Sequence, residues 1–258
     1  MVLEICVDSL ESARAAESGG AQRVELCSAL SEGGVTPSAG LISGVRESLT
    51  IPIFVMVRPR AGDFYYSPDE FALMQKDIVA ARAYGADGVV LGVLLKNGQI
   101  DVERTRDLAD LARPMGVTFH RAIDWTPSLE DAIDHVIAAG ADRILTSGGK
   151  QTAAQGSENL ARLVSKANDR IRVMVCGRIR KDNVAEIARK TNAKEFHASL
   201  RKKIKSPVTY QNPGLTLGEA GLDEFARYAV AADDVRALRE AMELTPDSGL
   251  LKESPSGR

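Results

Sequence analysis

The sequence is short of the residues on which several common functions depend. It has three cysteines, Cys6, Cys27 and Cys176, and no CxxC pair. A count that is sparse and odd makes no disulfide framework and suits a reducing cytoplasm. Charge of one sign is also missing: 33 basic residues face 35 acidic ones, for a net charge of −2. With no basic tract, there is no electrostatic footprint for nucleic acid or an anionic membrane surface. No apolar run approaches the ~18 residues of a spanning helix. The N-terminal MVLEICVDS runs directly into a strand pattern, where a signal peptide is not expected. No GxGxxG follows the first strand, which counts against an open dinucleotide-binding sheet.

What the chain does have is eight alternations of a short apolar strand and a helix. The strands are expected at 2–7, 23–27, 52–58, 88–92, 117–121, 143–149, 171–177 and 193–199. Helix starts are expected at Ser9, at Thr36 followed by Pro37, at the capping box Ser67-Pro68-Asp69-Glu70, at Asp101, at Thr126-Pro127, near Ser157 and at Asp182. Turns at residues 20–22, 85–87, 140–142 and 192–194 (Gly-Ala-Gln, Gly-Ala-Asp twice, Asn-Ala-Lys) precede strands two, four, six and eight. Glycine or asparagine there suits a left-handed helix end. Eight such units imply an α/β fold, a closed parallel (β/α)8 TIM-type barrel within one domain. Residues 1–200 would form the core. Residues 201–258 would be a C-terminal extension packed on it, with a polar loop, a helix around 222–244 and a frayed tail.

Residues two apart on a strand share a face. Glu4 and Cys6, Glu25 and Cys27, and Glu195, His197 and Ser199 each form such a set on strands one, two and eight, which are neighbours in a closed barrel. With the polar face inward, Glu195, Glu4 and Glu25 would form one layer, and His197, Cys6 and Cys27 the layer above. Met56 with Arg58, and Thr118 with His120, share that phase. Two thiols and an imidazole are soft ligands suited to copper(I) or zinc, although a free cysteine is more commonly a small buried packing residue and no CxxC makes the signal specific. Cys176 is the better candidate for packing, and His135 sits on the polar side of its helix. Arg58, Arg60, His120 and Arg121 suggest an anion pocket at the carboxyl ends of the strands. The turns containing Ser147, Gly148 and Gly177 could supply backbone N–H groups to it. Those arginines could equally neutralise the buried glutamates.

Several stretches resemble the CutC family of copper homeostasis proteins: LEIC (3–6), AQRVELC (21–27), EGGVTPS (32–38), VRPRAGDFYYS (57–67), VTFHRAID (117–124), ILTSGGK (144–150), EFHAS (195–199) and YQNPGLTL (210–217). The strand-seven turn CGRIRKDN departs from the family's more glycine-rich form. The resemblance implies a βα barrel, a cytoplasmic location, copper binding or tolerance and a tendency to form homo-oligomers. It also implies Cys6, Cys27 and His197 as copper ligands. The competing expectation is an enzyme acting on a small phosphorylated or carboxylated metabolite, with Glu25, Arg58, His120 and His197 as its working groups, His120 as general acid or base and Arg58 and Arg60 holding the anion. A phosphodiester hydrolase using a divalent metal on Glu4, Glu25 and Asp124 is a weaker third, because no metal-spacing motif supports it.

Overall fold

A computed structural model describes residues 1–210, 212, 214, 215 and 225–244. Eight parallel strands close into a barrel in sequence order. They are β1 (Val2–Val7), β2 (Arg23–Leu26), β3 (Ile53–Met56), β4 (Gly88–Leu91), β5 (Gly116–Phe119), β6 (Arg143–Thr146), β7 (Arg172–Val175) and β8 (Glu195–Ala198). The helices between them are α1 (Leu10–Ser18), α2 (Ala39–Ser48), α3 (Pro68–Ala83), α4 (Val102–Ala112), α5 (Leu129–Ala138), α6 (Ser157–Ala167) and α7 (Val184–Thr191). The expected (β/α)8 architecture is therefore present. Gly20, Gly85, Gly140 and Asn192 all have positive φ, as the recurring turns require. The aspartates in two of these turns add a tether. Asp87 accepts from Ile53 N and Asp142 from Val117 N, fastening each turn to the strand before it.

The caps follow the expected chemistry with three shifts. Ser9, Ser67 and Asp101 cap their helices as expected, with a full capping box at Ser67. Helix α2 is capped by Ser38 rather than Thr36, whose hydroxyl instead accepts from Arg58 N and donates to Asp77. Helix α5 is capped by Ser128 rather than Thr126, because a 3-10 turn at Arg121–Trp125 intervenes. Helix α7 starts after Asn183 rather than Asp182.

After β8 the chain differs more from expectation. The polar loop contains a strand, β9 (Lys202–Lys205), paired antiparallel with β10 (Ala226–Ala229). The helix expected around 222–244 is shorter, α8 (Ala232–Glu243), since part of that span pairs as β10; residues 222–224 and the expected tail lie outside the described residues. Helix α8 packs against α1 and α7, burying Val235, Leu238 and Met242, and so takes the eighth place in the helix ring. Gly19 makes that seat: a Cβ there would lie 2.5 Å from Ala232 O.

The main core lies between the outer faces of the strands and the helices, with Ile5, Val24, Val55, Leu91, Val117 and Phe196 among its members. The lumen holds two separate apolar clusters, Cys6–Cys27–Phe54–Met56–Val90 and Leu145–Met174–Cys176. Its floor is a charged quartet. Arg23 bridges Glu4 at 2.5 Å and Glu195 at 2.8 Å, and Arg143 binds Glu195 at 2.6 Å. Both guanidinium groups lie against the Phe54 ring, at 5.0 and 5.3 Å from its centroid. Gly88 and Gly116 leave room for that ring; a Cβ at Gly88 would come within 2.3 Å of it.

Pairing register corrects the expected layers. Val2 is level with Glu195, Glu4 with His197 and Arg23, and Cys6 with Glu25. The three glutamates thus climb a staircase, because closing a barrel of tilted strands requires a stagger between neighbours.

Gly88→Ala should destabilise the barrel by about 1–3 kcal/mol through overpacking against Phe54. Urea unfolding is the measurement, and Phe54→Leu in the same background should recover part of the loss. Wild-type stability in Gly88→Ala would refute this role for the glycine.

Candidate functional site

A cavity of about 710 Å³ opens at the carboxyl end of the strands, where barrels carry their sites. Cys6, Glu25, Met56, Arg58, Phe64, His120, Arg121, Trp125, His197 and Arg201 are among its walls. Each of the strand-borne residues here follows the inward phase of its strand. Trp125, in the 3-10 turn after β5, is 73% exposed and meets Phe64 edge-on.

At the base of the cavity, the Cys6 and Cys27 sulfurs are 3.8 Å apart, and Cys27 Sγ donates to Glu25 Oε2 at 3.5 Å. His197 Nδ1 lies 2.7 Å from Glu4 Oε1, and its Nε2 is 3.9 Å from Glu25 Oε2. Two overlapping ligand sets result, Cys6–Glu25–Cys27 and Glu4–Glu25–His197. Glu25 is the shared member, and its Oε1 is buried without a hydrogen-bond partner among the described residues. The expected trio of Cys6, Cys27 and His197 is thus gathered around the Glu25 carboxylate, with Cys6 in contact with both Cys27 and His197.

The electrostatics follow from burial and this pairing. Burial alone would push Glu4 up, but Arg23 and His197 outweigh it and hold its carboxyl down to about 2. Burial raises Glu25, against the pull of His197. Burial works to lower His197, yet Glu25, Cys6 and Glu4 raise it well above the usual imidazole range, so the ring is held as an imidazolium between two carboxylates. The Cys27 hydrogen bond and then burial push Cys6 well up. For Cys27 the Cys6 contact acts to lower the value, but burial and Glu25 prevail and carry it to about 12. Both thiols and the imidazolium therefore hold their protons at neutral pH, and a metal that displaces those protons would find two sulfurs, a carboxylate oxygen and an imidazole nitrogen. That donor set fits a soft or borderline ion.

The other predicted residues separate. Arg58 is buried and lines the cavity, with Nη1 donating to the carbonyls of Glu32 and Gly34 and Nη2 to that of Gly62. Arg60 is not among the cavity residues; it is engaged by Glu70, Asp63 and the Tyr65 carbonyl. The Ser147–Gly149 turn, expected to present N–H groups to an anion, is filled by the carboxylate of Asp124. Asp124 accepts from Ser147 N, Gly149 N and the Thr146 hydroxyl and is paired with Arg121. Gly148 N is taken by Thr146 Oγ1. Gly177, with φ of +99°, allows close approach to Ser147 and Ala153 and does not line the cavity. Cys176 packs with Leu145 and Met174, as expected of it. Burial, and then the Arg58 charge, push His120 down to about 3. It is a neutral ring at physiological pH and not the near-neutral titrating group that its residue type suggests. Arg23 and Arg143 are the residues missed; both stand two residues before a lumenal position, so the same alternation could have flagged them.

Fold and site together define a (β/α)8-barrel protein with an open cavity at its carboxyl mouth and buried thiols beneath it. The chain belongs to the CutC family, whose model matches residues 1–202. It is 48% identical to a family protein CutC of Chromobacterium violaceum over 94% of this chain and 98% of that one. It is 44% identical to the human copper homeostasis protein cutC homolog, over 92% of this chain and 86% of that one. The CutC crystal structure from Streptococcus agalactiae superposes with a TM-score of 0.73 at 33% identity, covering 76% of this chain and 97% of that one.

Glu4 makes stability pH-dependent with a definite sign. Its folded pKa lies near 2 against an ordinary 4.5. Its contribution is therefore present above pH 4.5 and lost as pH falls through 2, on the order of 3 kcal/mol in all. The stability gap between wild type and Glu4→Gln, from urea midpoints, should shrink across that window on acidification. A gap independent of pH would show that Glu4 is not held ionised.

Proposed function

We propose that the protein is a copper homeostasis protein that binds copper(I) through Cys6 and Cys27, with Glu25 and His197 completing the site. The observation that carries this is the pair of buried thiols 3.8 Å apart beside a half-satisfied carboxylate at the foot of an open cavity. Thiolates select copper(I), and imidazole is a compatible partner. The names of the human and mouse relatives point the same way. Among the described residues no helix is long and apolar enough to cross a membrane. Free thiols and the family resemblance favour a cytoplasmic homo-oligomer that contributes to copper tolerance.

The protonated thiols and the His197 imidazolium must lose protons on binding, so affinity should rise with pH, by about tenfold per unit for each proton released. Competitive copper(I) titration under reducing conditions tests the assignment. Wild type should bind tightly, Cys6→Ala/Cys27→Ala should lose that binding, and His197→Ala should weaken it. Affinity unchanged in the double variant would make the cysteines packing residues and end the copper assignment.

A further inference from the structure

Arg58 and His120 share a corner of the mouth away from the thiols. Gly92, just after β4, lets His120 lean towards β3, since a Cβ there would lie 2.5 Å from His120 Nδ1. Phe64 backs both residues: its ring lies 4.9 Å from the imidazole centroid and 5.1 Å from Arg58 Cζ.

Each residue is incompletely satisfied. His120 Nδ1 accepts from Ala122 N at 3.2 Å, which leaves the ring proton on Nε2. That Nε2 is buried and has no acceptor among the described residues, although the residue lines the cavity and is 4% exposed. Arg58 is 6% exposed; its terminal nitrogens donate to the carbonyls of Glu32, Gly34 and Gly62, its guanidinium lies beside the Tyr66 hydroxyl, its Nε is buried with no acceptor, and no carboxylate lies at ion-pair distance among the described residues. A buried donor without an acceptor costs about 1–3 kcal/mol, and a buried charge without a counter-charge costs more. Two such groups in one corner of one cavity give it a hydrogen-bond donor and a positive charge to offer a ligand.

We propose that this corner binds the carboxylate of a small organic acid, with His120 Nε2–H donating to one oxygen in the field of Arg58. The body of the acid would lie against the apolar walls made by Phe64, Met56, Leu30 and Trp125. One neutral donor and one positive charge suit a monoanion. Phosphate is disfavoured because the nearby turn that would cradle it already holds Asp124. The imidazole, with its pKa near 3, keeps its donor across the physiological range. This subsite goes beyond the copper assignment and does not rest on it, because neither residue belongs to the thiol cluster.

The test uses metal-free full-length protein, with benzoate as probe, benzamide as its uncharged isostere and inorganic phosphate as the alternative anion. Long-range proton–nitrogen correlation of the imidazoles follows His120 directly. Millimolar benzoate should shift the His120 Nε2 resonance and leave that of His135 in place. Benzamide should bind at least about tenfold more weakly, for want of the charge. His120→Leu should weaken benzoate by about tenfold, while His120→Gln, which keeps an N–H donor, should stay within about threefold of wild type. A His120 resonance indifferent to benzoate, equal binding of benzamide, phosphate binding more tightly than benzoate, or full affinity in His120→Leu would each overturn the proposal. The resonance measurement is made on wild type, so it decides the question even if a variant fails to fold.

Discussion

The ion-pair chain on the barrel floor constrains everything above it. Two arginines and two glutamates cannot be buried in a lumen unless each charge finds its opposite at close range. Glu195 is shared by Arg23 and Arg143, and Glu4 is held by Arg23, which ties β8, β1, β2 and β6 together across the barrel. The observed register meets that condition. A two-residue slip of β1 would keep its polar face inward but take Glu4 away from Arg23 and His197. Phe54 fits the same floor because Gly88 and Gly116 leave its ring unobstructed, and its faces lie beside both guanidinium groups.

The thiol site inherits its electrostatics from that floor. Glu4 binds Arg23 with one oxygen and His197 with the other, so the imidazolium above is coupled to the quartet below. Glu25 stands one step further up and faces both the imidazolium and a thiol. The chain therefore passes from fixed charge at the floor, through a protonated imidazole, to two protonated thiols at the cavity. Across the mouth, Arg58 and His120 form a second polar corner, built on other strands and facing the same space.

Much of this was legible in the sequence. The closed barrel followed from eight strand–helix units and the every-second-unit turns. The inward phase of Glu4, Cys6, Glu25, Cys27, His120 and His197 followed from alternation. What alternation does not contain is the stagger between strands, which is why Glu4, Glu25 and Glu195 form a staircase and not a layer. Side-chain partners in loops were also hidden. Arg60 resembles an anion ligand in a string of letters, yet Glu70 lies ten residues further on with a matching carboxylate. The Ser147–Gly149 turn resembles a phosphate cradle until Asp124, more than twenty residues earlier in the chain, is found inside it. At the C-terminus, Ala226–Ala229 pairs as a strand because Lys202–Lys205 offers a partner, a tertiary fact that local helical periodicity cannot carry.

Helix α8 closes the ring by resting on α1, and β8 closes the sheet by pairing with β1. Elements far apart in the chain thus complete one another, and a growing chain cannot finish the barrel while β8 and α8 are still inside the ribosome. Until then β1 keeps an open edge, and Cys6 and Cys27, which are made before β3 to β8, have no roof of folded strands. Domains of this closed kind depend on late, long-range pairing, with its exposure to misassembly. For this chain the vulnerable interval coincides with the time when its two thiols meet solvent unprotected, before burial has raised their pKa values.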